Sequence, residues 1–200
     1  VLQDPEAASD VRVVVGRAIR RAREAAGLSM RALARASEMS QPFLSQVEKG
    51  ETSPSLSSLY RLAHALGLPP SQLMPPVSAP RGVSVLRRGE GRELPVSDTP
   101  GTARGRLLSG GAGHTLEVVE YRVEPDADLG GWFESDGELT VYVIDGEVEV
   151  TLEHEGSWRL GAGDAISHPA DIRHRWAVVG DVAARILLSV AHAHPAAARQ

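Results

Sequence analysis

From Arg12 to Met74 the apolar residues return every three or four positions in four short runs: Val15-Ile19-Ala22-Ala26, Ala32-Leu33-Ala36, Phe43-Leu44-Val47 and Leu56-Leu59-Leu62-Ala63-Leu66. That period puts each run on one face of an amphipathic helix. Start and stop signals mark the ends. Gly27 stops the first run, Ser29 and Ser40 stand as N-caps of the second and third, and Gly50 ends the third. Ser53, with Pro54 at the first helical position, opens the fourth run, and Gly67 closes it. Helices this short are marginal alone, so the pattern predicts one compact α-helical unit over 11–74.

A proline-rich stretch, Pro69-Pro70, Pro75-Pro76 and Pro80-Arg81-Gly82, then interrupts the pattern, and residues 75–82 read as a short stiff linker. Over 83–192 the period becomes two. Val83-Val85, Leu116-Val118 through Tyr121-Val123, Leu139 through Ile144, Val148-Val150-Leu152, Trp158-Leu160 and Ile186-Leu188-Val190 are strand-like. Turns such as Asp145-Gly146, Glu155-Gly156 and Gly161-Ala162-Gly163-Asp164 separate them. Many short strands at near-regular spacing predict a small β-barrel or jelly roll. The only low-complexity segment is the Ala-rich tail after Pro195.

Composition narrows the function classes. The chain has 200 residues, 42% apolar and 24% charged, and no cysteine. It is globular, and disulfides, thiolate nucleophiles and Cys-ligated metals are excluded. No apolar stretch approaches the ~20 residues that span a bilayer, and Val1 begins no charged-then-apolar leader, so a cytoplasmic protein with no membrane partner is expected. The net charge of −5 is unevenly spread. Residues 11–70 carry nine basic groups against four acids, whereas residues 77–200 carry twelve against nineteen. A polyanion is therefore the candidate partner of the helical half.

Two helices at 30–36 and 41–48, joined by Ser37-Glu38-Met39-Ser40, have helix-turn-helix spacing. The stretch from Gly27 to Gly50, followed by Ser53 to Gly67, resembles the DNA-binding domain of phage-repressor-like (XRE-type) regulators over about 60 residues without a gap. The resemblance implies a five-helix lambda-repressor-like bundle whose third helix lies in the major groove of double-stranded DNA. Gln41, Phe43, Ser45 and Gln46 are then the expected base readers, with Gln suited to adenine and Phe43 to a thymine methyl. Ser29, Arg31, Ser40 and Lys49 are expected at phosphates. Arg23 and Glu48 match positions that form a partly buried ion pair, and so belong to the fold. Three residues depart from the family pattern. Met30 stands where Gln is usual. Glu38 occupies a turn position of positive φ, at a cost of roughly 1–2 kcal/mol for a non-glycine residue. Pro42 removes one N–H from the first turn of the reading helix. The exposed arginines of the first helix, Arg17, Arg20 and Arg21, are read first as a solvated face.

The β half resembles a cupin, the double-stranded β-helix or jelly-roll barrel. The second cupin signature falls on Gly163, Pro169, Asp171, His174 and Val178, keeping its first Gly, Pro and His; the first falls on Asp126, Trp132, Glu134, Leu139 and Gly146, keeping only the closing Gly. The whole chain, an α+β multidomain protein, thus looks like a bacterial helix-turn-helix plus cupin regulator. Cupin metal positions read Trp132, Glu134, Leu139 and His174, with Ser135 in the alternative frame and Glu138 one residue out of register. Glu134 and His174 alone remain, too few for a catalytic site, so no metal and no cofactor is expected. Trp132, Glu134, Leu139, Val141, His174 and Trp176 are instead expected to line an apolar pocket for a small-molecule effector. His154, His168, His192 and His194 are read as surface or loop residues. The expected function is a transcriptional repressor that binds a pseudo-palindromic operator as a homodimer. The alternative is a cupin-type enzyme resembling the hydroxypropylphosphonate epoxidases, whose iron ligands would fall on Ser135 and Leu139.

Overall fold

The computed structural model describes residues 5–75, 83–99 and 101–192. Most of the linker, 76–82, and the tail with His194 lie outside the described residues. Four α-helices form the helical half: α1 (Pro5–Ala25), α2 (Met30–Ala36), α3 (Gln41–Lys49) and α4 (Leu56–Leu66). The expected fifth helix is a single 3-10 turn, Pro70–Leu73. Pro69 before it, Pro70 at its start and Pro75 after it leave too little chain for α-helical hydrogen bonding.

The serines cap as the pattern predicts. Ser29 Oγ accepts from Ala32 N–H at 3.1 Å and Ser40 Oγ from Phe43 N–H at 3.3 Å. The fourth helix starts two residues later than expected. Ser55, not Ser53, caps it by accepting from Ser58 N–H at 3.2 Å, and Pro54 lies outside the helix. Leu33, Ala34, Leu44, Val47, Leu59 and Leu62 fill the interior with Ile19. α1 crosses α3 closely at Gly16, where a Cβ would come within 2.3 Å of the Val47 carbonyl oxygen.

Among the described residues, nine strands build the β half. A six-stranded sheet runs in the order β1 (Arg92–Pro95), β2 (Arg104–Ser109), β3 (Leu116–Val123), β9 (Ala184–Ala191), β4 (Glu138–Asp145), β7 (Ala165–Pro169). The second sheet orders β6 (Gly156–Gly161), β5 (Glu147–Leu152), β8 (His174–Val178). All pairings are antiparallel. Alternation works as predicted in β3, β4, β5 and β9, whose inward rows include Val119 and Tyr121, Leu139, Val141 and Val143, and Ile186, Leu188 and Val190. Val83 and Val85 form no strand and are exposed, because no neighbouring strand pairs with them. Strands β1, β2, β7 and β8 escaped the hydrophobic pattern: arginine, glycine, serine and histidine break their alternation, and pairing with central strands holds them.

The two halves share one continuous apolar core. Ser57 N–H donates to Val96 C=O at 2.9 Å, Ala112 N–H to Met74 C=O at 2.9 Å, and Ser58 Oγ to Asp98 Oδ2 at 2.5 Å. Leu56 and Tyr60 of α4 reach the mouth of the barrel beside Val96, Tyr121, Phe133 and Trp176. Helix α4 is thus a structural member of both halves.

Candidate DNA-reading surface and interdomain cleft

Helices α2 and α3 turn their apolar sides inward and leave a polar side free. Gln41, Gln46 and Lys49 of α3 are exposed, as are Ser29, Arg31 and Ser40; Phe43 and Ser45 are half-buried. Phe43 also packs on the core. The turn has the strain predicted for it, with Glu38 at φ 55°. Behind it, Arg23 holds Glu48 through two parallel bonds, Nε to Oε1 at 2.6 Å and Nη2 to Oε2 at 2.9 Å, and its Nη1 donates to Leu28 C=O at 3.1 Å. The paired geometry and the hydrogen bonds to Glu48 raise the guanidinium pKa further. Arg17, Arg20 and Arg21 are exposed on α1, Arg20 paired with Glu24 at 2.9 Å.

Inside the barrel, packing replaces a pocket. Leu139 and Val141 are buried, and His174 and Trp176 stack with ring centroids 6.0 Å apart. The space left beside them is about 10 Å³, room for no more than a water molecule. His174 Nδ1–H donates to Ile172 C=O at 3.0 Å, and burial pushes its pKa down to about 4, so it is neutral at physiological pH. His168 lies 4.9 Å from it, ring to ring, with Nδ1 2.7 Å from Pro169 C=O. Among the described residues no three of His, Asp and Glu group together as metal ligands.

Trp132 and Glu134 do not join that interior. Trp132 is 37% exposed, under the guanidinium groups of Arg175 at 4.9 Å and Arg173 at 5.7 Å. Glu134 lies between His64 Nε2 at 3.1 Å and Arg173 Nε at 3.8 Å. The segment before β4 has a single β-bridge, Phe133 to His174, and one further backbone bond, from Ser135 N–H to Ala170 C=O at 2.9 Å; Trp132 and Glu134, on either side of Phe133, turn outward. Both residues instead wall a cleft of about 750 Å³ between the halves. On its helical side stand Ser37 and Glu38 of the turn and Tyr60, Arg61 and His64 of α4. Asp98, Asp128, Phe133 and Arg173 complete the barrel side.

Two histidines correct the surface reading. His168 and His192 are buried. His192 Nε2 lies 3.7 Å from Glu117 Oε2, and its Nδ1 lies 3.4 Å from Asp136 Oδ1. Glu117 also accepts from Tyr60 Oη at 3.3 Å, tying α4 to β3. His154 sits in an exposed turn at φ 66°, as expected. The cleft residues Asp98 and Asp128 lie in polar loops with no periodic signal, so the sequence alone does not mark them.

Comparison with known proteins agrees with this architecture. A helix-turn-helix family model matches residues 19–73 and a cupin domain model residues 119–190. The HTH-type transcriptional regulator PuuR of Escherichia coli is 24% identical over 166 residues, covering 83% of this chain and 88% of PuuR. The HTH-type transcriptional regulator DdrOP3 of Deinococcus deserti is 30% identical over 116 residues, 58% of this chain and 88% of that protein. The crystal structure of a helix-turn-helix family regulator from Vibrio cholerae superposes with a TM-score of 0.67 at 21% identity, covering 94% of this chain and 99% of its own, and so shares the fold. No helix among the described residues is long and apolar enough to cross a membrane. With a helix-turn-helix unit whose polar side is open, a cupin barrel behind it, and a regulator 30% identical over 88% of its own length, the chain belongs to the HTH-type transcriptional regulators and is a DNA-binding regulator carrying a cupin domain.

Proposed function

We propose that this regulator is a cytoplasmic repressor that occupies a pseudo-palindromic operator as a homodimer and answers to a small-molecule effector. The observation that carries the reading is the α2–α3 unit: one side is locked by the Arg23–Glu48 pair and the apolar interior, while six of the eight expected contact residues are exposed and Phe43 and Ser45 half-buried. Gln41, Phe43, Ser45 and Gln46 face base edges, and Ser29, Arg31, Ser40 and Lys49 face phosphates. Residues 11–74 form the DNA-binding unit, 75–82 the joint and 83–192 the sensing and pairing unit. The outer face of the larger sheet offers the pairing surface to a second copy. Leu116, Val118, Leu187 and Tyr142 all turn outward there, and Leu116 and Tyr142 are exposed.

Effector contacts are assigned to Trp132 and Glu134, with Leu139, Val141, His174 and Trp176 as the packed wall behind them. No catalytic role or cofactor is proposed. Ser135 and Leu139 stand where the epoxidase-like reading would put metal ligands, and Leu139 offers only hydrocarbon.

The test is binding of the purified protein to the DNA upstream of its own gene, beside a scrambled duplex, at two salt concentrations. Salt-sensitive preference for the native sequence is expected. Gln46→Ala should cost about 1–3 kcal/mol and relax that preference. Weak, sequence-blind binding at both salts overturns the reading, and an unchanged Gln46→Ala variant removes Gln46 from the readers.

A further inference from the structure

We propose that the cleft between the helix-turn-helix unit and the barrel binds a small organic cation with an apolar or aromatic body, and that the α2–α3 turn senses its occupancy directly. The inference rests on the effector-responsive reading above and supplies its site and ligand class.

Volume selects the place. The cleft, at about 750 Å³, lies within the range of small-molecule sites, whereas the barrel interior, at about 10 Å³, is closed to any ligand larger than water.

Charge selects the class. Four carboxylates face the cleft, Glu38, Asp98, Asp128 and Glu134, against two guanidinium groups, Arg61 and Arg173. Among the carboxylates and guanidinium groups alone, the walls keep an excess of two negative charges. Asp98 is held chiefly by neutral donors, Ser55 N–H at 3.3 Å and Ser58 Oγ at 2.5 Å, with Arg61 at 3.9 Å. Asp128 accepts from Gly130 N–H at 2.9 Å and Ser97 Oγ at 2.7 Å, which lower its pKa and keep it ionised. Neutral donors orient a carboxylate without cancelling its charge. Glu38 is exposed and has no ion-pair partner among the described residues.

The aromatic wall fits the same ligand. Trp132, Phe133 and Tyr60 line the cleft, and the Trp132 ring already attracts the protein's own cations, Arg173 and Arg175. An indole face is the best side-chain receptor for a positive charge. Arg173 is itself half-exposed and can yield its place.

Coupling follows from position. Ser37 and Glu38 are at once wall residues and the turn that aims α3, whose first turn is capped at Ser40. A ligand held between Glu38 and the barrel favours one placement of that turn over another, the differential affinity that a population shift requires.

The test uses the full chain and three probes of one shape: phenethylamine, 2-phenylethanol and phenylacetate. Thermal unfolding and tryptophan fluorescence are read at rising probe concentration, to the millimolar range. Phenethylamine alone is expected to raise the unfolding temperature and change the emission. Glu38→Gln and Glu134→Gln should each weaken its binding about tenfold, the size of one charge-assisted contact. Trp132→Ala should abolish the response. An equal or stronger response to phenylacetate or phenylethanol overturns the cation assignment. Undiminished phenethylamine binding by Trp132→Ala overturns the cleft as the site, and so does silence of all three probes in protein that still binds its operator. Loss of operator preference in the probe-free wild type instead overturns the regulator reading.

Discussion

Two buried charge clusters in this protein are built on opposite plans. Arg23 and Glu48 lie within the helical half, with side chains 12% and 4% exposed and joined to each other by two directed hydrogen bonds. Glu117 and His192 lie at the joint between the halves, 0% and 2% exposed, with their nearest atoms 3.7 Å apart and beyond hydrogen-bond geometry. The first pair involves a guanidinium that never titrates in proteins. The second balances a carboxylate with an imidazole that does. Geometry therefore fixes the first cluster, whereas in the second, charge acts beside a single hydrogen bond from Tyr60, at a seam that backbone bonds and the shared apolar core also hold. The second cluster is thus the one that pH can adjust.

Removing one member of the locked pair should give the largest effect. Arg23→Ala leaves Glu48 charged and buried, and should cost about 3–5 kcal/mol in denaturant unfolding. A loss below 1 kcal/mol would remove the contrast between the clusters. Glu117→Gln should cost less, about 1–3 kcal/mol, because the amide oxygen can still accept from Tyr60 while the charge that His192 answers is gone.

The sharper difference between the clusters is in pH. Burial lowers the His192 pKa, but Glu117 and then Asp136 outweigh burial, and the net shift is upward. Folding is therefore linked to proton uptake. The contribution is fully present below the unfolded value of about 6.5 and is lost as pH rises through the raised folded value. Tyr60, facing the same carboxylate from α4, is pushed well above its ordinary pKa by burial and then by Glu117, and stays neutral throughout that window. Unfolding temperature should thus fall from slightly acid to mildly alkaline pH in the wild type, and less steeply in Glu117→Gln. Parallel profiles would assign the pH dependence elsewhere. The smallest effect belongs to the turn. Glu38→Gly should stabilise by about 1 kcal/mol, through relief of its positive φ less the added flexibility of glycine. A neutral or destabilised variant would show that contacts of the Glu38 side chain outweigh the backbone strain.

The two regions also differ in how much of each was legible from the chain. Helices α2 and α3, their serine caps, the strained Glu38 and the Arg23–Glu48 pair could be anticipated, since caps and periods are local and the rest follows a gapless resemblance. In the barrel, the inward rows of β3, β4, β5 and β9 were legible, because a strand buried on one face alternates. Trp132 was misplaced because a signature position sets a register only while the strand continues, and before β4 just one bridge exists. His192 looked like a loop residue because its partners Glu117 and Asp136 are remote in sequence.

The sequence by itself determined the division into a helical and a β half, the helix-turn-helix with its capped ends, and the family. Each follows from local periodicity, from capping chemistry or from an ungapped motif. Tertiary structure alone decided that α4 plugs the barrel, that the barrel interior is filled, that a wide cleft lies between the halves, and that a buried acid and histidine meet beside the joint. Those outcomes depend on which remote side chains compete for the same volume and which charges share the same low-dielectric space, and no window along the chain records either.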